Sequence, residues 1–168
     1  MPDTQPTVRP ATAGDLEAIA GIFAHYVTDS VFTFEEVPPT VGQWRQRLGT
    51  LIECGLPFLV AEVDGTVAGY AYASPWRPKP AYRHTVEDSI FLAPDRQRKG
   101  LGRLLLDALL RGCAAAGSRQ VVAVIADSGD PASVALHRAC GFTEAGRLTR
   151  VGYKHGRWID TVLMQRAA

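Results

Sequence analysis

Thr85-Val86-Glu87-Asp88-Ser89-Ile90-Phe91-Leu92, then Ala93 to Lys99, then Gly100-Leu101-Gly102-Arg103-Leu104-Leu105, is the stretch whose reading settles the architecture. The first eight residues are rich in β-branched and apolar side chains and predict a strand. Pro94 to Lys99 forms a polar loop. Leu104, Leu105, Ala108 and Leu109 then recur at helical spacing and predict a helix closing near Gly117. Glycines at such a junction let the backbone approach a ligand and take positive φ. The N–H groups that open the helix have no internal partner, and the helix dipole adds positive charge there. The junction is therefore an anion cradle suited to phosphate. Arg96, Arg98, Lys99 and Arg103 add cationic side chains around it. Two other phosphate loops do not fit: the third glycine of G-x-G-x-x-G would fall at Leu105, and no Gly-Lys-Ser/Thr follows. Taken alone, Gly-x-Gly also suits a plain helix start with a solvated basic loop.

Working outward, Val8 to Pro10 reads as a short strand. Thr12 with Asp15, and Thr40 with Gln43, read as capping boxes. The first opens a helix with Leu16, Ile19, Phe23 and Val27 on one face. The second opens a helix with Trp44, Leu48 and Leu51, ending at Gly55-Leu56-Pro57. Thr28 to Pro39 between them reads as a loop exposing Phe32 and Phe34. Phe58 to Val63 and Thr66 to Ser74 form a hairpin about Asp64-Gly65. Val121 to Ala126 is continuously apolar and predicts a buried strand in parallel pairing. Asp130-Pro131 fits an N-cap and first helical residue, opening a short helix that ends at Cys140-Gly141. Phe142 to Arg150 and Trp158 to Arg166 read as an antiparallel pair joined by a Gly-rich turn. The order β-α-α-β-β-β-α-β-α-β-β implies an α/β (α+β) domain with a mixed sheet and helices on both faces.

The 168 residues suit one domain and can bury a core without disulfides or metal. With 18 Lys plus Arg against 17 Asp plus Glu, the net charge is +1, without the basic excess of a nucleic-acid binder. Cys54, Cys113 and Cys140 form no C-x-x-C pair, so reduced thiols in a cytoplasmic protein are expected. The polar N-terminus does not read as a signal peptide, and no apolar run is long enough to span a bilayer. His25, His84, His137 and His155 show no metal-ligand spacing, and no metal is expected.

Gln97, Gly100 and Gly102 make Q-x-x-G-x-G, and with the element order the chain resembles the GCN5-related N-acetyltransferase superfamily. The resemblance covers nearly the whole chain as a single domain (1–168). It implies a mostly antiparallel seven-stranded sheet and acetyl-CoA as co-substrate. The cofactor contacts it implies are the backbone of Ile90, Phe91 and Leu92 toward the pantetheine and acetyl carbonyl. Arg98, Lys99, Gly100, Leu101, Gly102 and Arg103 fall at the pyrophosphate, with Asp130 and Ser133 on the following segment. Asp130 stands where the superfamily often has Asn, and an ionised Asp only accepts hydrogen bonds.

Within the superfamily, His25-Tyr26, Val60 to Gly65, Trp76-Arg77-Pro78, Thr85-Val86-Glu87, Leu136-His137 and Gly152-Tyr153-Lys154-His155-Gly156-Arg157-Trp158 with Asp160 resemble the phosphinothricin and methionine sulfoximine (sulfone) N-acetyltransferases. That resemblance implies a small amino-acid-like acceptor, acetylated on its α-amino group by direct transfer. It also implies a homodimer. Glu87 is then the base for the acceptor amine, and His137, at the superfamily's Tyr position, the acid for the thiolate. By alternation Glu87 and Asp88 face opposite sides of the strand. The expected acceptor contacts are Phe34, Trp76, Arg77, Pro78, Lys79, Arg83, Thr85, Asp88 and Ser89. Arg77, Lys79, Arg83 and His84 precede Glu87 as a cationic cluster that suits a carboxylate or phosphinate, or else a solvated loop. An enzyme for protein N-termini or other amines, and a non-catalytic acetyl-CoA sensor, are the alternatives.

Overall fold

A computed structural model of the chain describes residues 5–97 and 100–168. Its strands are β1 (Thr7–Pro10), β2 (Phe58–Val63), β3 (Thr66–Pro75), β4 (Thr85–Leu92), β5 (Gln120–Ala126), β6 (Thr143–Lys154) and β7 (Arg157–Ala167). They form one sheet in the order β1-β2-β3-β4-β5-β7-β6. Every neighbouring pair is antiparallel except β4 and β5. The helices are α1 (Leu16–Asp29), α2 (Val41–Glu53), α3 (Leu101–Ala115) and α4 (Ala132–Ala139).

Local chemistry starts and stops the helices where the sequence suggests. Thr40 Oγ1 accepts from Gln43 N–H at 3.1 Å, and Gln43 Oε1 accepts from Thr40 N–H at 2.8 Å, which closes the capping box of α2. Asp15 accepts from Thr12 N–H at 2.8 Å, but residues Ala13–Asp15 form a 3-10 turn and α1 begins only at Leu16. Asp130 Oδ1 accepts from Ala132 N–H at 2.9 Å; it caps α4 one residue later than expected, with Pro131 still outside the helix.

Two cores sandwich the sheet. On one face α1 and α2 bury Leu16, Ile19, Phe23, Trp44 and Leu48 against Phe58, Val60 and Tyr70. Aromatic edges dominate that core: Trp44 meets Phe23 at 5.5 Å and Tyr70 at 5.5 Å, both T-shaped. On the other face α3 buries Leu101, Leu105, Leu106, Leu109 and Cys113 against Val86, Val121 and Met164. Leu104, expected on the apolar face, instead lies outside that stripe at 38% exposure.

Two expectations are corrected. Phe32 is half-buried, packed against the α1–α2 core, because the chain turns back over Tyr26 after α1. The last two strands run further than Arg150 and Trp158: β6 absorbs two register shifts and continues to Lys154, so the turn is only His155-Gly156.

Arg9 ties three elements together. It donates to both Asp15 oxygens at 2.8 Å and to Glu62 at 2.9–3.0 Å. These bonds outweigh burial and hold Asp15 down to about 2. A depressed carboxylate stabilises the fold above its ordinary value and loses that effect as pH falls through the depressed one. Asp15→Asn should therefore cost about 1–3 kcal/mol near neutrality. Urea unfolding between pH 5 and pH 2.5 should show the wild type losing the advantage over the variant as the pH drops.

Candidate active site

The site begins where the sheet comes apart. β4 and β5 pair only at Thr85–Gln120, Val86–Val121 and Glu87–Val122. Beyond that point β4 stays with β3 and β5 stays with β7. The facing edges, Asp88 to Leu92 and Ala123 to Ala126, have no sheet partner for their backbone groups. A cleft of about 600 Å³ opens there, within the range of small-ligand sites.

One end of the cleft reaches Gly100, Gly102 and Arg103 at the start of α3. Gly100 sits at φ 74°, a left-handed conformation that a side chain would strain. That turn lets the helix start face the cleft with its unpaired N–H groups. Leu101, expected at the same loop, points into the core instead, at 2% exposure. Arg98 and Lys99 lie outside the described residues. Gln97 holds the loop by donating to Tyr26 Oη at 2.7 Å, and Tyr26 donates to the Leu92 carbonyl on the open edge of β4. Tyr26 was legible in His25-Tyr26 only as a family string, not as a cleft residue.

In the middle of the cleft, Glu87 and Asp88 point to opposite faces, as alternation requires. Glu87 lines the cleft half-buried. Burial, and then the charge of Asp88, raise its pKa above the ordinary 4.5. Asp88, read from sequence as an acceptor contact or an exposed carboxylate, is neither free nor exposed. Its Oδ2 lies 2.7 Å from His137 Nε2, with both side chains almost fully buried. His137 Nδ1 lies 2.7 Å from the Ser133 carbonyl, which can only accept. Nδ1 is therefore the N–H donor, and a second proton sits between Nε2 and Asp88. Burial opposes charge on the ring, but the Asp88 bond and charge with the Ser133 bond outweigh it and raise the His137 pKa above 6.5. Both protons of the imidazolium are thus already bonded. Ser133, expected at the cofactor, also lines the cleft, as do Asp130, Ile90, Phe91 and Leu92.

The far end is walled by Phe34, Tyr72 and Ser89, with Glu35 and Arg47. Phe34 packs so closely on Gly152 of β6 that a Cβ there would overlap its ring. Buried Lys154 Nζ donates to the Thr33 carbonyl at 2.8 Å and holds the same segment from below.

The cationic cluster does not join this wall. Trp76, Arg77, Pro78, Lys79, Arg83 and Thr85 are absent from the cleft lining. Arg77, Lys79, Arg83 and His84 are exposed, with Arg77 stacked over Trp76 at 5.0 Å and Arg83 bonded to the Pro80 carbonyl. A short 3-10 turn at Pro80–Tyr82 carries the loop past the end of β3 into solvent. Among the described residues no three His, Cys, Asp or Glu side chains gather as a metal site, and no helix is long and apolar enough to cross a membrane.

A mostly antiparallel sheet split at its one parallel joint, with a glycine-started helix at the mouth, defines the acyl-CoA N-acyltransferase class. Residues 8–163 match the model of the acetyltransferase (GNAT) domain, and the chain belongs to that family. It is 52% identical over 160 residues to a phosphinothricin N-acetyltransferase of Alcaligenes faecalis, covering 95% of this chain and 81% of that protein. It is 38% identical to an L-methionine sulfoximine/L-methionine sulfone acetyltransferase of Pseudomonas aeruginosa, covering 95% and 92%. Its fold superposes with a TM-score of 0.92 on a phosphinothricin acetyltransferase from Sinorhizobium meliloti in complex with AcCoA. That protein is 46% identical, with 96% of this chain and 88% of that one covered.

A raised histidine pKa stabilises the fold fully below 6.5 and loses that effect as pH rises through the raised value. Stability should therefore fall on the alkaline side as His137 deprotonates. Asp88→Asn should flatten that fall and cost about 3 kcal/mol at neutral pH by breaking a buried pair. Melting temperatures between pH 6 and pH 9 read both effects.

Proposed function

We propose that this chain is an acetyl-CoA-dependent N-acetyltransferase for the α-amino group of small amino-acid-like acceptors such as phosphinothricin, methionine sulfoximine and methionine sulfone. The observation that carries the reading is the through-sheet split at Glu87 and Val122, with a helix start at one end and a carboxylate facing an aromatic-walled chamber at the other. The family relationship supports the chemistry, and the relatives' named substrates support the acceptor class.

The residues fit the co-substrate. The open edges of Ile90 to Leu92 and Ala123 to Ala126 present backbone donors and acceptors along the split. Asp88 Oδ1 and Thr161 Oγ1 are buried cleft-lining atoms without a partner among the described residues. Gly100, Gly102 and Arg103 offer the phosphate end, where N–H groups and positive charge converge. Acetyl-CoA supplies the activated thioester carbonyl, and the rest of the chemistry is proton handling by the chain.

Glu87 accepts the proton of the acceptor ammonium, for which its raised pKa suits it. The His137–Asp88 pair holds a second proton beside the split and releases it to the leaving sulfur. The nitrogen gives up its own second proton as the amide forms and so restores the pair. One proton leaves with the thiol and one goes to solvent through Glu87. Releasing the His137 proton loosens its bond to Asp88, which is the cost of an acid held this firmly.

The same reading makes the protein a homodimer of single-domain chains in the cytoplasm. The exposed apolar side chains of the β6–β7 ribbon, Leu148, Val151, Tyr153 and Trp158, offer a surface for a second copy.

The test is thiol release from acetyl-CoA with phosphinothricin, methionine sulfone, spermidine and a short peptide as acceptors. Turnover confined to the amino-acid analogues supports the reading; turnover with the peptide or polyamine alone sinks it. Glu87→Gln should lower kcat at least 100-fold with little change in the KM for acetyl-CoA. The acid limb of kcat/KM should lie above the ordinary glutamate range and vanish in that variant.

A further inference from the structure

Lys154 is a buried ammonium that no step above uses. It lies on β6 at 3% exposure. Lysine is almost never fully buried without a charged partner, and its stem usually carries the charge out to water. Here Nζ turns inward and donates to the Thr33 carbonyl at 2.8 Å, across 121 positions of sequence. Among the described residues no carboxylate stands within ion-pair distance of it. Taking an ammonium out of water for a neutral acceptor is unfavourable as a contribution to stability alone. The bond therefore points to a requirement on where Thr33 and its neighbours sit.

The β6–β7 ribbon offers that segment a shaped seat. Gly152 and Lys154 are buried while Tyr153 between them is 56% exposed, so the two share one face of β6. Ile159 stands directly opposite Gly152 on β7 and shares that face. Val31 packs with Ile159 and Ala126. Thr33 is bonded by Lys154, and the Phe34 ring lies on Gly152 where a Cβ would overlap it. Three points on one surface thus hold residues 31–34, and Thr33 and Phe34 line the cleft. The segment's own bonds, from Phe32 N–H to Ser30 Oγ and from Glu35 N–H to Thr33 Oγ1, both at 3.2 Å, are local. They shape its turns but do not set its distance from the cleft.

We propose that Lys154 and Gly152 are positioning residues for the acceptor: they seat Thr33 and Phe34 so that the ring stays at the chamber wall, and so set how tightly the acceptor is held. The assignment rests on the activity proposed above. It concerns one wall of the chamber and leaves the acceptor contacts expected of the β3–β4 loop in place. Lys154 supplies the pull, by fixing the carbonyl that precedes Phe34. Gly152 supplies the room, by carrying no side chain under the ring.

The experiment measures acceptor and acetyl-CoA kinetics with phosphinothricin and methionine sulfone. It compares wild type with Lys154→Met, Gly152→Ala, Phe34→Ala, and the two double variants that join each seat change to Phe34→Ala. Lys154→Met keeps the length of the stem and removes the donor. It should raise the acceptor KM at least about 10-fold, the scale for a displaced substrate contact. The KM for acetyl-CoA and kcat should stay within a few-fold, because Glu87 and the split lie outside the seat. Gly152→Ala should raise the acceptor KM by driving the ring into the chamber. In the Phe34→Ala background either seat change should add less than about twofold, since both act through that ring. Losses that multiply in the double variants overturn the proposal. So do losses that fall equally on kcat and both KM values together with the melting temperature, which mark a structural role only. An unchanged acceptor KM in both single variants overturns it while leaving the proposed activity intact. Should Lys154→Met fail to fold, Gly152→Ala with and without Phe34→Ala decides alone. If the wild type acetylates neither acceptor, the activity reading falls. Titration of phosphinothricin into the CoA-loaded protein then decides the seat by itself: binding weakened at least about 10-fold by Lys154→Met upholds it, and no binding or equal binding overturns it.

Discussion

Three residue pairs hold β4 to β5, and the rest of the molecule follows from where that pairing stops. A parallel joint that ended nowhere would bury its backbone groups in the ladder. Ending it at Glu87 and Val122 leaves two strand edges facing each other inside a folded domain. Unpaired buried backbone groups are expensive unless something polar meets them. The chain meets one of them itself, through Tyr26 at the Leu92 carbonyl, and leaves the others along the cleft. The split is affordable because each half of the sheet keeps a full partner: β3 secures β4 and β7 secures β5 along their whole lengths. The two cores lie on opposite faces of the sheet, so neither has to fill the gap.

The period of two along β4 then distributes the chemistry. Glu87, Ser89 and Phe91 look toward the α1–α2 side, while Val86, Asp88, Ile90 and Leu92 look toward α3 and α4. Adjacent carboxylates thereby acquire different work. Glu87 meets the chamber and has its pKa raised by burial. Asp88 meets His137, which raises the histidine instead. Glu87 and the Asp88–His137 pair are thus separated by one peptide unit and by the thickness of the sheet, which keeps the two carboxylates in different surroundings.

The order of elements, the two antiparallel hairpins and the parallel joint were legible in the sequence because periodicity and capping residues are local. Phe58–Val63 and Thr85–Leu92 have the predicted bounds. Family membership was legible in Gln97, Gly100 and Gly102. The site was legible only where a motif carried it. Asp88 and His137 are 49 positions apart, and Arg47 and Tyr72 are 25 apart, so no spacing rule joins either pair. The cationic cluster at Arg77 to Arg83 lies close to Glu87 in sequence, yet its side chains are exposed and outside the cleft lining. A 3-10 turn suffices to aim such a loop at solvent.

The far end of the cleft is built differently from the helix-start end. Gly100, Gly102 and Arg103 lie together in one loop and helix start, held by local geometry. Phe34 is held by Gly152 and Lys154, more than a hundred residues later, and Arg47 by Trp44 and Tyr72. Lys154 is buried, which lowers its pKa, with Glu36 and Glu35 opposing. A buried ammonium bonded to a carbonyl is costly unless the segment it bonds is needed in one place. Here that segment carries the ring that walls the chamber. The long β6–β7 ribbon, with its register shifts, thus reaches back to fix that wall of the cleft. That wall rests on Phe34, Arg47 and Gly152, none of which takes part in the split, so the shape of this end of the cleft can vary while the fold stays the same.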